Sequence, residues 1–177
     1  MKKKLEKSID FTKIDWNSLD NERLQFYFKE AVEANDSVLN NINNINNKAY
    51  QFLAIACTIT AALAGFLFSV WGKSGKEAIA STALCGCIGL GLIMATLLVA
   101  VWPRTVYPGR AMPDSIFSGS LYKAPMTKLL ADGIASYHHY ICSNRKVEKF
   151  RSFFLTAGMC GFFLVPLVAV VLLLFVF

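Results

Sequence analysis

The chain has 177 residues, 55% of them hydrophobic and only 17% charged, with a formal net charge of +6. The length suits one domain of ordinary size, but the apolar share exceeds soluble usage. It is concentrated in three charge-free runs of 22, 25 and 26 residues, at 50–71, 78–102 and 152–177. Each exceeds the roughly 20 residues that a helix rising about 1.5 Å per residue needs to cross a bilayer core. An ordinary soluble domain is therefore excluded, and the expected fold class is an all-α integral membrane protein. It would have three transmembrane helices and two cytoplasmic helical arms.

Residues 1–19 carry no pattern and read as a loose leader. Lys2, Lys3 and Lys4 resemble the charged start of a signal sequence, but no apolar stretch follows before Tyr50. A helix is expected from Asp20, its N-cap, with Glu22 favouring the positive helix end. Apolar residues then recur at alternating spacings of four and three: Leu24, Phe28, Ala31, Val38, Ile42, Ile45, Ala49 and Phe52. Asn35 occupies the one omitted position. This is a heptad seam, and it passes through the tract NNINNINN (40–47), which has six asparagines in eight positions. Against alanine, six asparagines cost a helix about 3–4 kcal/mol in propensity, so packing must supply the helix. The preserved register favours one near-continuous helix from Asp20 to Trp71, with its asparagine face turned away from the isoleucines. The competing reading is a polar linker.

In the turn at 72–77, Gly72-Lys73-Ser74 looks like the end of a phosphate loop, but the pattern needs a glycine where Leu67 stands. The second run carries small residues at four-residue spacing, Ala83, Cys87, Gly91 and Ala95, with Gly86 and Gly89 beside them. Such ridges let helices approach closely in lipid. Pro103, Pro108, Pro113, Gly109 and Gly119 then preclude a long helix. Helix is expected again from about Pro125, with Leu129, Ile134, Tyr137, Ile141 and Phe150 on one face. It runs through the basic RKVEKFR (145–151) into the third span, where Pro166 should introduce a kink. The organisation is a leader and amphipathic helix (1–49), a two-span hairpin (50–102), a cytoplasmic loop and basic helix (103–151), and a final span (152–177).

Lys and Arg number eight before Tyr50, two in the turn at 72–77 and eight in 103–151. By the positive-inside rule, the N-terminus and 103–151 are expected to face the cytoplasm. Acidic residues divide eight, one and three over the same segments, so the surplus positive charge lies in 103–151. It suits anionic lipid first and RNA second. Arg145, Lys146, Lys149 and Arg151 are the candidate lipid- or partner-binding groups. Cys57, Cys85, Cys87 and Cys160 fall in spans and Cys142 in the cytoplasm, so they read as small apolar side chains rather than disulfides.

Catalytic residue types are sparse. His138 and His139, the two histidines, have no Cys, Asp or Glu at metal-ligand spacing on their face, and read as part of an aromatic cluster with Tyr137 and Tyr140. The Arg-x4–6-His pattern of helical ribonucleases is missing, because the last arginine before His138 is Arg110. No ionisable residue lies within a span, which disfavours a proton relay. A ring of uncharged polar groups suffices for a channel. The pore-lining candidates are Asn40, Asn43, Asn44, Asn47, Gln51 and Thr58, followed by Thr60 and Ser69. Candidate oligomer contacts are Leu24, Val38, Ile42, Ile45, Cys87 and Gly91. No cofactor, metal or enzymatic activity is expected.

The order of these parts resembles a known group. A cytoplasmic helix feeds the first span (NNKAYQFLAIACTITAALAGFL), and a short turn leads to a glycine-rich second span. WPR opens a loop containing FSG, and a helix ending NRKVEKFR enters the last span. Over about residues 24–177 this resembles the small membrane effectors of bacterial anti-phage defence, the Pycsar and SLATT-like proteins. In size and layout it is most similar to the accessory membrane protein of type VI-B CRISPR systems. The resemblance implies a homo-oligomeric pore that permeabilises or depolarises the membrane, linked to an RNA-guided nuclease or a nucleotide-signal sensor. The alternatives are a non-pore scaffold holding a protein or RNA partner on its basic arms, and a membrane-anchored HEPN-like ribonuclease dependent on His138 or His139.

Overall fold

A computed structural model of the chain describes residues 14–109 and 123–175. The lysines of the leader, Arg110, Pro113 and Gly119 lie outside the described residues. Among the described residues three α-helices carry the fold: α1 (Asn21–Val70), α2 (Glu77–Val101) and α3 (Met126–Phe175), preceded by a 3-10 turn at Trp16–Ser18. The described residues hold no strand. The expected helix from Asp20 to Trp71 is present as α1, and its start is capped as the sequence indicates. The Arg23 N–H donates to Asp20 Oδ1 at 2.7 Å, satisfying one of the orphan donors of the first turn. The asparagine tract is helical throughout, so the linker reading fails. The helix expected from Pro125 is present as α3, which continues through Pro166 as a single element.

The chain divides into two compact units, Met1–Leu39 with Tyr107–Asn144, and Asn40–Val106 with Arg145–Phe177. In the first, Leu24, Leu130 and Ile134 are buried together, with Trp16, Leu19 and Phe28 packed on them. α1 and α3 run parallel there, since Phe28 meets Tyr137 and Asn35 meets Asn144 as both numbers rise. Gly133 leaves room for the Phe28 ring; a Cβ at that position would lie 2.6 Å from it.

The second unit is a three-helix packing. Its core is Ala49 from α1, Leu90, Ile93, Leu97 and Ala100 from α2, and Leu155 from α3. Here too α1 and α3 are parallel, with Phe52 against Phe162. α2 returns antiparallel to α1, bringing Gly86 to Leu63 and Cys57 to Met94. Leu97 fits over Gly158, where a Cβ would sit 2.7 Å from Leu97 Cδ2, and Val165 fits over Gly89 at 2.9 Å. Close approach at small residues is how helices associate where neighbouring apolar surface offers no hydrophobic driving force.

The buried seam on α1 corrects one expectation, and the buried face of α2 differs from its small-residue ridge. On α1, Leu24, Asn35, Val38, Ile42 and Ala49 are all buried within the chain itself, and Ile45 is half-buried. α1 meets its own α2 and α3 along this line, so the seam needs no second subunit. On α2 the buried positions are Ala83, Gly86, Leu90, Ile93, Leu97 and Ala100, alternating three and four. The expected ridge at every fourth residue drifts off this face. Ala95 is exposed, and a Cβ on Gly91 would meet nothing within 4 Å. Contact sustained along a near-parallel pair follows a 3.5-residue repeat, which a strict four-residue ridge leaves after two turns.

All three helices are long and apolar enough to cross a membrane. In their most apolar windows only 17, 28 and 11% of residues are buried by the chain. The remainder presents apolar side chains outward, Phe68, Leu92, Phe163 and Leu167 among them. A helix apolar all round requires apolar surroundings.

Candidate functional site

Two features stand out in the second unit: a polar outer stripe on α1, and an arginine set where the apolar runs begin and end. The stripe follows from the asparagine tract. Ile42 and Ile45 point inward, and two asparagines turn toward α3. Asn41 donates to Glu148 Oε1 at 3.0 Å, and Asn46 Oδ1 accepts from Arg151 at 2.8 Å. The other four, Asn40, Asn43, Asn44 and Asn47, are exposed. From Asn40 the line continues along one face through Asn44, Asn47, Gln51, Ala54, Thr58, Ala61, Gly65 and Ser69, every residue exposed. The spacing repeats four and three, so these side chains stack above one another. No large apolar residue interrupts the line. Thr58 and Ser69 return their hydroxyls to the helix's own carbonyls, those of Ala54 at 3.0 Å and Phe66 at 2.7 Å. Such back-bonding lets hydroxyl residues persist in apolar surroundings. Thr60 lies off the line and is half-buried.

Arg151 stands apart in the basic run. It was expected with Arg145, Lys146 and Lys149 as a lipid- or partner-binding group, and it is only 5% exposed, while those three are exposed. The reason is register: Asn144, Arg151, Leu155 and Gly158 lie on the buried face of α3, and Arg151 falls on it. Its guanidinium donates to Asn46 Oδ1 and, at 3.3 Å, to the Trp102 carbonyl, and its Nε has no partner. Burial, and next the charge of Arg104, lower its pKa from the ordinary value, with the Tyr50 phenol opposing. Arg104 itself lies flat on Phe150, its guanidinium carbon 3.5 Å from the ring centroid.

In the first unit, the gap at position 35 of the heptad is explained. Asn35 and Asn144 are both fully buried, and Asn144 donates to Asn35 Oδ1 at 3.0 Å. Asn144 also grips the connector after α2: it accepts from the Tyr107 N–H at 2.9 Å and donates to the Tyr107 carbonyl at 2.8 Å. Asn35 adds longer bonds to the carbonyls of Tyr107 and Pro108, at 3.4 and 3.3 Å. The paired amides thus hold an irregular strand of backbone whose polar groups lack helical partners. Tyr107 stacks on Tyr140 at 5.6 Å, and His139 approaches the same rings. Of the expected aromatic grouping Tyr137, His138, His139 and Tyr140, ring contacts join Tyr137, His139 and Tyr140, with Tyr107 as an added member.

Other expected residues are dispersed. His138 lies 3.6 Å from Cys142 Sγ on the same helix. All five cysteines are free, and no group of three or more His, Cys, Asp or Glu able to hold a metal occurs among the described residues. Cys87 and Gly91 are half-buried, with space beside Gly91. An open apolar cleft of about 440 Å³ is lined by Ile59, Leu63, Phe66, Phe162, Val165 and Pro166 among others, and holds almost no polar surface. Sequence reasoning missed Arg104, Asn46 and Asn144. Only the polar residue at heptad position 35 signalled a buried amide. No family model, curated protein or solved structure matches the chain.

Proposed function

We propose that the protein is a three-span membrane protein of the bacterial inner membrane. It acts as a non-enzymatic homo-oligomeric pore that permeabilises or depolarises that membrane in an anti-phage response, under an RNA-guided nuclease or nucleotide-signal sensor. The observation that carries the pore reading is the α1 stripe. An exposed line of asparagine, glutamine, threonine, serine and small residues runs from Asn40 to Ser69, the lower part of it on a stretch of helix that is otherwise almost wholly apolar beyond Tyr50. Where the line enters the apolar run, the Gln51 amide would forgo solvation facing lipid; facing a water-filled axis, the line supplies the uncharged polar ring that conduction needs. Because Leu24, Val38 and Ile42 are occupied inside the protomer, neighbouring protomers would meet on outer faces, with the space beside Gly91 available for close approach.

The test is ion flux from liposomes containing the purified protein, with oligomeric mass measured on the same sample. Asn43, Asn44 and Asn47 changed together to leucine should insert and assemble but lose flux. Unchanged flux would remove the stripe from the mechanism. The exposure of Arg145, Lys146 and Lys149 favours a second reading, a scaffold binding a protein or RNA on the basic arm. Oligomers that stay impermeable, with steeply salt-dependent RNA binding, would support it.

A further inference from the structure

Arg151 bonds the Trp102 carbonyl, and Arg104, two residues beyond Trp102, stacks on Phe150, the residue before Arg151; no carboxylate pairs with either arginine among the described residues. A buried guanidinium without a counter-charge is costly unless an anion completes it. Two neutral acceptors, Asn46 and the Trp102 carbonyl, satisfy part of Arg151 and leave its Nε unpartnered. Arg104 is exposed, and stacking on Phe150 occupies one flat face of its guanidinium. The in-plane N–H edge remains available, and that edge fits a phosphate bidentately. The level of the pair along the helices is also informative. Tyr50 begins the first apolar run, Trp102 ends the second, and Ser152 opens the third directly after Arg151. Tyr50 and Trp102 are 56% and 67% exposed, as expected of amphipathic rings at headgroup depth.

We propose that Arg104 and Arg151 form a site for the phosphate of an anionic phospholipid, with Arg104 making the contact and Arg151 supplying charge from behind. The inference rests on the membrane-spanning reading but not on a pore. Arg145, Lys146 and Lys149, within two turns and on the exposed face, attract anionic lipid only diffusely.

The experiment is native mass spectrometry of the detergent-purified full chain titrated with phosphatidylglycerol, phosphatidylcholine or inorganic phosphate. Wild type, Arg104→Gln, Arg104→Lys and Lys149→Gln are compared after their helical circular dichroism is matched. Wild type should retain phosphatidylglycerol over phosphatidylcholine. Arg104→Gln should weaken phosphatidylglycerol binding about tenfold, the loss of one charge-assisted contact, and Arg104→Lys should fall between. Lys149→Gln should stay within about twofold of wild type, as a solvated charge contributes little. Equal binding of the two lipids, or an equal loss in Lys149→Gln, would overturn the site. Displacement of the lipid by millimolar phosphate would identify a free-anion site and overturn the lipid assignment. Failure here leaves flux intact, so the two proposals are separable.

Discussion

Asn144→Ala tests the register of the parallel α1–α3 pair most directly. Asn144 is fully buried and makes three bonds of 2.8–3.0 Å, two to the Tyr107 backbone and one to Asn35. Alanine removes all three, leaving the Tyr107 N–H and Asn35 Oδ1 without partners; the Tyr107 carbonyl retains only the 3.4 Å bond from Asn35. The buried Asn35 Oδ1 costs about 1–3 kcal/mol when orphaned and the part-buried Tyr107 N–H about 1 kcal/mol, so the variant should lose about 2–4 kcal/mol locally. Asn35→Ala removes the amide bond and two longer bonds, at 3.3 and 3.4 Å, and should lose about 2 kcal/mol. The assay is hydrogen exchange at the Tyr107 amide, whose acceptor is Asn144 Oδ1. At 1.4 kcal/mol per factor of ten, a loss of about 3 kcal/mol corresponds to roughly 100-fold faster exchange. The double variant should exchange more slowly than the sum predicts, because the shared bond is lost once. Tyr107 protection within threefold of wild type in Asn144→Ala would refute this account of the connector.

Gly158→Ala and Gly91→Ala should differ in sign. The first places a Cβ 2.7 Å from Leu97 and should lower the helical melting point, by overpacking worth about 1–3 kcal/mol. The second meets nothing within 4 Å and should be neutral or stabilising by up to about 1 kcal/mol, read in the same melts. Asn46→Leu strips Arg151 of its 2.8 Å acceptor and leaves a buried cation less satisfied. It should destabilise more than Arg151→Met, which removes the charge while keeping most of the volume; urea titration in detergent distinguishes them. Gly109→Ala forces a residue at φ +76° to carry a Cβ 2.5 Å from the Tyr137 ring. It should cost about 1–3 kcal/mol and expose the adjoining connector to limited proteolysis.

Much of the architecture was legible from local chemistry. Charge-free runs of more than 20 residues, an N-capping Asp20, and prolines after Trp102 mark the three helices almost to the residue, because each signal acts within a turn or two of chain. The direction of the asparagine face was also legible, since Ile42 and Ile45 had to point somewhere and a helix puts their neighbours opposite. Partnership was not. The heptad seam says that α1 packs on something, and a seam of the same pattern serves a second subunit as well as the chain's own α3. Only the folded chain, with Asn144 opposite Asn35 at a separation of 109 residues, shows that the partner is internal. Arg151 teaches the same lesson. By composition it belongs to a basic run, yet its position on the α3 seam places it inside, with Asn46 and Trp102 from distant segments as acceptors. Sequence alone determines helix, polarity and span, which depend on a residue and its neighbours along the chain. Which face is buried against which, and so which polar and charged groups end up inside, depends on contacts between segments and is decided by the tertiary structure.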